Sequence, residues 1–176
     1  MEEGSPEQAQ RRMGVGMLAL AWLTCGALAV YGFDQLLERQ RNPNRTLTSM
    51  EADGTREVVL KRNRAGHYIT PGVINGEDVV FMIDTGATTI AIPARLAQEL
   101  SLPKGRKIAT QTANGMATGY ATRLDQVSIG PIAMRDISAG VSPGLRTQEI
   151  LLGMSFLKHI EFTQRGDTLI LRQYVQ

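Results

Sequence analysis

The run from Met13 to Phe33, MGVGMLALAWLTCGALAVYGF, carries no charged residue. At about 1.5 Å of rise per helical residue it is long enough to cross a hydrocarbon core of about 30 Å. This run constrains the chain more than any other feature, because it removes an N-terminal segment from whatever globular core the rest can build. Arg11 and Arg12 stand directly before it, as expected for a cytoplasmic flank, while Arg39, Arg41 and Arg45 on the other side weaken that signal. A cleaved signal peptide is the competing reading, since Ala27-Leu28-Ala29 has the A-x-A form. The apolar run continues past that tripeptide to Phe33, which favours an uncleaved anchor. Both readings put everything after Asp34 beyond a membrane; a buried helix of a soluble protein is the third. Cys25 lies inside the run, and Trp22-Leu23-Thr24 before it makes a poor lipoprotein cleavage box, so its thiol reads as a small membrane residue.

The chain has 176 residues, room for one ordinary domain plus extensions. Its 43% hydrophobic content overstates the core, because the N-terminal run contributes much of it. A formal charge of +2 is too small for a nucleic-acid partner. His67 and His159 are the two histidines and Cys25 the one cysteine; no CxxC or HExxH spacing occurs. No metal, cofactor or disulfide framework is therefore expected.

Organisation follows from composition. Residues 1–12 read as a short cytoplasmic tail, 13–33 as the transmembrane helix or signal anchor, and 34–55 as a polar, arginine-rich linker around Asn42-Pro43-Asn44. From Arg56 onward, short apolar runs alternate with turn residues. Strands are predicted at Val58–Leu60, Tyr68–Ile74 and Val79–Ile83, with a turn at Asn75-Gly76. Pro93 opens a short helix, PARLAQEL. Further strands are predicted at Lys107–Thr112, Tyr120–Leu124, Val127–Ile129 and Ile132–Ile137, the first of these followed by a turn at Asn114-Gly115. EILLGMSFLKHI reads as a buried strand, a glycine break and a short helix, and IEFTQRGDTLILR as a closing hairpin. Many short strands with one or two brief helices argue an all-β barrel or sandwich over 56–176.

The chemistry concentrates in FMIDTGATTIAIP, Phe81 to Pro93. An apolar strand that ends in Asp84 brings a carboxyl group to the edge of a core, where ionisation is costly unless neighbours are arranged for it. Thr85 supplies a small hydroxyl, Gly86 lets backbone approach closely, and Ala87-Thr88 continue without bulk. Asp-Thr-Gly alone occurs in ordinary turns; the string with apolar residues on both sides is far more specific.

With TQTANGMATGY and ILLGMSFL downstream, the sequence resembles the retropepsin-like aspartic proteases, in particular their bacterial membrane-anchored single-domain members. The resemblance spans about Arg56 to Arg172 and implies a closed acid-protease β-barrel behind an N-terminal transmembrane helix. It implies Asp84 as the catalytic acid, with Thr85, Gly86 and Ala87 forming its loop and Thr85 bracing the loops across a dimer axis. Ala113, Asn114 and Gly115 would form the tip of a flap over an extended peptide, bound as an added strand. Many retroviral members carry an arginine after the glycine of the third motif, whereas Met154-Ser155 follow Gly153 here.

Peptide hydrolysis of this kind needs two carboxyl groups sharing one proton. The sequence holds a single Asp-Thr-Gly; Asp53-Gly54-Thr55 and Gly166-Asp167-Thr168 have another order and lack the apolar strand. Half a site per chain calls for a homodimer that brings two copies of Asp84 together. The expected protein is an aspartic endopeptidase of the bacterial inner membrane, single-pass, with its domain on the periplasmic side and a peptide or protein as substrate. The rival reading is a non-catalytic, membrane-tethered β-barrel dimer that binds a peptide or envelope partner. An aspartyl-phosphate enzyme would need a larger α/β domain, and no such pattern is present.

Overall fold

The computed structural model describes residues 6–112 and 115–175 and separates into two compact units, Met1–Gln40 and Arg41–Gln176. Helix α1 (Pro6–Arg41) carries the whole uncharged run. Leu18, Leu20, Trp22, Leu23 and Phe33 are all exposed along it. A helix apolar on every side satisfies its own backbone and leaves its side chains for lipid. It is long and apolar enough to span a membrane.

The second unit is built mainly from strands. In chain order it runs β1 (Thr48–Ala52), β2 (Thr55–Lys61), β3 (Ile69–Ile74), β4 (Glu77–Ile83), β5 (Ile90–Pro93) and α2 (Ala94–Glu99). It continues through β6 (Lys107–Thr112), β7 (Gly115–Ile129), β8 (Ile132–Ser142), β9 (Ile150–Leu152), α3 (Met154–Leu157), β10 (Glu161–Arg165) and β11 (Thr168–Tyr174). The strands form two sheets, β1-β2-β11-β10 and β3-β4-β9-β5-β8-β7-β6. In the larger sheet β3 also pairs with β7, through Val73↔Ser128 and Ile74↔Val127. That second pairing closes β3, β4, β9, β5, β8 and β7 into a ring, with β6 attached outside it. The expected all-β barrel with short helices is the observed architecture.

Alternation puts the core where the sequence placed it. Val58 and Leu60 of β2 pair with Leu171 and Leu169 of β11, and all four are buried on one face of the smaller sheet. Phe81, Ile90, Ile92, Ile150, Leu152 and Phe156 are fully buried and join them in one cluster. Asn75 and Gly76 both adopt left-handed φ, 51° and 92°, between β3 and β4, the conformation a two-residue hairpin turn requires.

Two stretches differ from the pattern read in the sequence. Residues 34–55, expected as a linker, carry regular structure at both ends: α1 runs to Arg41 and Thr48–Ala52 forms β1. Every residue of β1 is exposed, so no apolar alternation announces it; its backbone pairs with β2 from Thr48↔Val59 to Ala52↔Thr55. The segments Tyr120–Leu124 and Val127–Ile129 are parts of one long strand, β7. Its register with β8 is the same at Leu124↔Ile137 and at Gln126↔Arg135, but the ladder is interrupted between them at Asp136, whose φ is 60°. That irregularity disturbs the alternation and splits the sequence signal.

Barrel closure leaves no room at Gly72, where an added Cβ would lie 2.5 Å from the Phe81 ring and 2.5 Å from the Ser128 carbonyl oxygen. Gly72→Ala is expected to cost about 2 kcal/mol of stability. The check is urea denaturation, with a lowered midpoint and an unchanged m-value.

Candidate active site

Asp84 follows directly on β4, and its backbone is fixed from two sides. Ile83 N–H donates to the Tyr68 carbonyl at 2.9 Å, and Asp84 N–H donates to the Leu152 carbonyl at 3.1 Å. The second contact extends the parallel pairing of β4 with β9, Phe81↔Ile150 through Ile83↔Leu152. β9 also meets β5 at Ala91↔Leu151, so the strand entering the loop and the strand leaving it lie on opposite sides of β9.

The loop between them is tied to itself and to the β9–α3 corner. Gly86 N–H donates to Asp84 Oδ1 at 2.9 Å, and Ala87 N–H reaches the Asp84 carbonyl at 3.3 Å. A carboxylate that accepts from the amide two residues on forms a local Asx-type turn and fixes its own rotamer. Met154 N–H donates to the Ala87 carbonyl at 2.8 Å, and Ile90 N–H to Ser155 Oγ at 3.1 Å. Asp84 is half-buried, whereas Thr85 and Gly86 are exposed. The arrangement presents a carboxyl group from a rigid strand end on a surface free to meet another molecule.

Asp84, Thr85, Gly86 and Ala87 thus come together in one loop. Gly115 stands at the start of β7, at the far end of the β6–β7 hairpin, where it pairs with Thr112 at a φ of 106°. Ala113 and Asn114, the other two expected flap residues, lie outside the described residues. Nothing in the sequence marks the Tyr68 carbonyl or the Ser155 hydroxyl as partners of this loop. Both contacts join residues far apart in the chain, and neither residue type is distinctive.

The sequence pattern of the family described as "gag-polyprotein putative aspartyl protease" matches residues 70–159, which hold this loop, the hairpin and the β9–α3 corner. The chain belongs to this family, the retropepsin-like aspartic proteases. A retropepsin-like aspartic protease from Rickettsia conorii has a similar solved structure, with a TM-score of 0.57 and 29% identity over 74% of this chain and 97% of that one. An uncharacterized protein in the cobV 5' region of Sinorhizobium sp. is 34% identical over 94% of this chain and 77% of its own length. An uncharacterized protein of Rickettsia prowazekii (strain Madrid E) is 34% identical over 65% of this chain and 51% of its own length.

In this retropepsin-like barrel Met154 and Ser155 follow Gly153 at the β9–α3 corner. The Ser155 hydroxyl serves as a neutral brace for the strand that leaves the loop. Beyond Thr89 an open groove of about 510 Å³ runs past Lys104, Arg106, Ile108 and Thr122. Arg123, also on its wall, is paired with Asp136. The guanidinium hydrogen bond holds the Asp136 carboxyl below its usual range; Lys104, Arg106 and Arg123 are all exposed.

Gly153 is the tightest point of the site: an added Cβ would lie 2.3 Å from the Thr89 carbonyl oxygen and 2.6 Å from that of Ala87. Backbone on both sides cannot swing away as a side chain can. Gly153→Ala is expected to destabilise the fold by about 3 kcal/mol. Gly144→Ala, with nothing within 4 Å of its Cβ, should stay within about 0.5 kcal/mol of wild type. Thermal unfolding of the two variants side by side checks both values.

Proposed function

We propose that the protein is an aspartic endopeptidase whose catalytic pair is Asp84 from each of two chains in a homodimer. The observation that carries this reading is the presentation of Asp84: half-buried at a strand end, braced through Gly86 N–H, with Thr85 and Gly86 open beside it. The single Asp-Thr-Gly of the sequence supports a site shared between two chains. Two such loops meeting across a twofold axis would place like carboxyl groups side by side, and one proton would be shared between them. The exposed Thr85 hydroxyl is available to bridge the facing loops.

In that pair the ionised carboxylate takes a proton from water, and the oxygen attacks the peptide carbonyl carbon. The protonated partner donates to the carbonyl oxygen, giving a tetrahedral diol. As the diol collapses, the C–N bond breaks, the newly protonated carboxyl gives its proton to the leaving amine, and the other carboxylate takes one from a diol hydroxyl, which restores the starting dyad. An extended peptide would lie under the β6–β7 hairpin, with Ala113, Asn114 and Gly115 closing over it and its backbone bonding as an added strand.

α1 would anchor each copy in the bacterial inner membrane with the barrel on the periplasmic side. Arg11 and Arg12 before the apolar run support this orientation. Confinement to one surface raises the effective concentration of the second copy without any new contact.

Asp84→Asn should lower peptide cleavage by about a thousandfold or more while the barrel stays folded, measured by mass spectrometry of a peptide library with circular dichroism as the folding control. A variant that cleaves as well as wild type sinks the assignment. Specific activity in detergent should fall on dilution as dimers separate, and the pH profile should be bell-shaped. Undiminished activity in a protein shown to be monomeric would remove the shared dyad.

A further inference from the structure

The second compact unit opens with a segment that grips the barrel. Arg41 donates from Nε and Nη2 to Glu149 Oε1, at 3.0 and 2.6 Å, and from Nη1 to Gln148 Oε1 at 2.8 Å. Glu149 is buried and immediately precedes β9. The Arg41 carbonyl accepts from Asn63 Nδ2 at 2.8 Å. Asn63 Oδ1 in turn accepts from the backbone of Ala65 and His67, shaping the connection into β3.

Asn44 is the second grip and is only 4% exposed. Its Nδ2 donates to the carbonyls of Lys61 and Ile69, at 2.9 and 2.7 Å, and its Oδ1 accepts from Lys61 N–H at 2.7 Å. One amide side chain therefore splices the end of β2 to the start of β3, as a strand would. Asn42 Oδ1 accepts the Asn44 N–H at 2.9 Å and sets the turn that delivers it.

The two strand starts held in this way are the two that hold the reacting acid. Tyr68, one residue before Ile69, accepts the Ile83 N–H; Leu152, three residues after Glu149, accepts the Asp84 N–H. From this juxtaposition we propose that Arg41 and Asn44 are positioning residues for the Asp84 loop. They fix the upstream ends of β3 and β9 and thereby the backbone on both sides of the carboxyl group. Removing Arg41 leaves the buried Glu149 carboxylate without its cation, and removing the Asn44 amide leaves three backbone groups without partners. Either change loosens the two strands that flank Asp84 before it loosens the long β7–β8 hairpin, which carries its own register. The catalytic part of the proposal rests on the endopeptidase reading above; the mechanical part does not.

The test uses the full chain in lipid nanodiscs. Arg41→Ala, Asn44→Ala and the milder Arg41→Lys are compared with wild type by amide hydrogen exchange and by kcat and KM on a cleaved peptide. Arg41→Ala and Asn44→Ala should speed exchange at Ile83 and Asp84 by about tenfold and leave Leu124–Ile137 within about twofold. They should lower kcat by about tenfold with KM within about twofold. Arg41→Lys keeps the charge without the planar fork and should give about a threefold change in each; it answers the question if the alanine variants do not fold. The pair Arg41→Glu with Glu149→Arg should recover much of the loss. Exchange that rises evenly over the whole barrel, or not at all at Ile83 and Asp84, overturns the proposal. Altered exchange at Ile83 and Asp84 with unchanged kcat confines the segment to stability and overturns the catalytic part. Wild type that cleaves nothing sinks the endopeptidase reading, while the exchange comparison still decides the clamp.

Discussion

Everything distinctive about this molecule depends on two parallel strands, β4 and β9, lying side by side so that Leu152 can receive the amide of Asp84. Parallel neighbours cannot be joined by a tight turn. The chain therefore leaves Ile83, builds β5 through β8, and returns at Ile150 before the acid is secured. Placement of one carboxyl group is in this sense a property of the whole barrel, including its closure through β3 and β7.

The same arrangement explains why small residues crowd the site. Gly153 must let the carbonyls of Ala87 and Thr89 pass within contact of its α-carbon, and Gly86 must bring its amide to the Asp84 carboxylate. Bulk at Gly153 would push the loop off the β9–α3 corner, whereas a Cβ at Gly86 would meet Asp84 Oδ1 at 3.2 Å. The brace from Ser155 adds a neutral hydrogen bond where an arginine would add a charge.

Structure outside the barrel strands also reaches the loop. The polar segment after the apolar helix contributes a buried asparagine and an arginine on a buried glutamate. Polar groups buried this deeply are tolerated only when their partners are complete, and here the partners are the upstream ends of β3 and β9. The unit that holds the acid therefore starts at Arg41, well before the first apolar strand.

Sequence by itself determined the elements whose physics is local. An uncharged run long enough for lipid, apolar alternation at Val58–Leu60 and Leu169–Leu171, the Asn75-Gly76 turn and the Asp-Thr-Gly string all announce themselves within a few residues. Asp84 could be singled out because an acid at the end of an apolar strand needs a reason to be there. The edge strand β1 escaped because it buries nothing, and β7 looked broken because its buried Leu124 and Val127 stand three residues apart, out of strict alternation. The Tyr68 carbonyl and the Ser155 hydroxyl as partners of the loop, and the grips of Arg41 and Asn44, belonged to tertiary structure alone. Backbone carbonyls and single hydrogen bonds between distant residues leave no periodic trace in a chain; they exist only once the barrel has closed and brought its ends together.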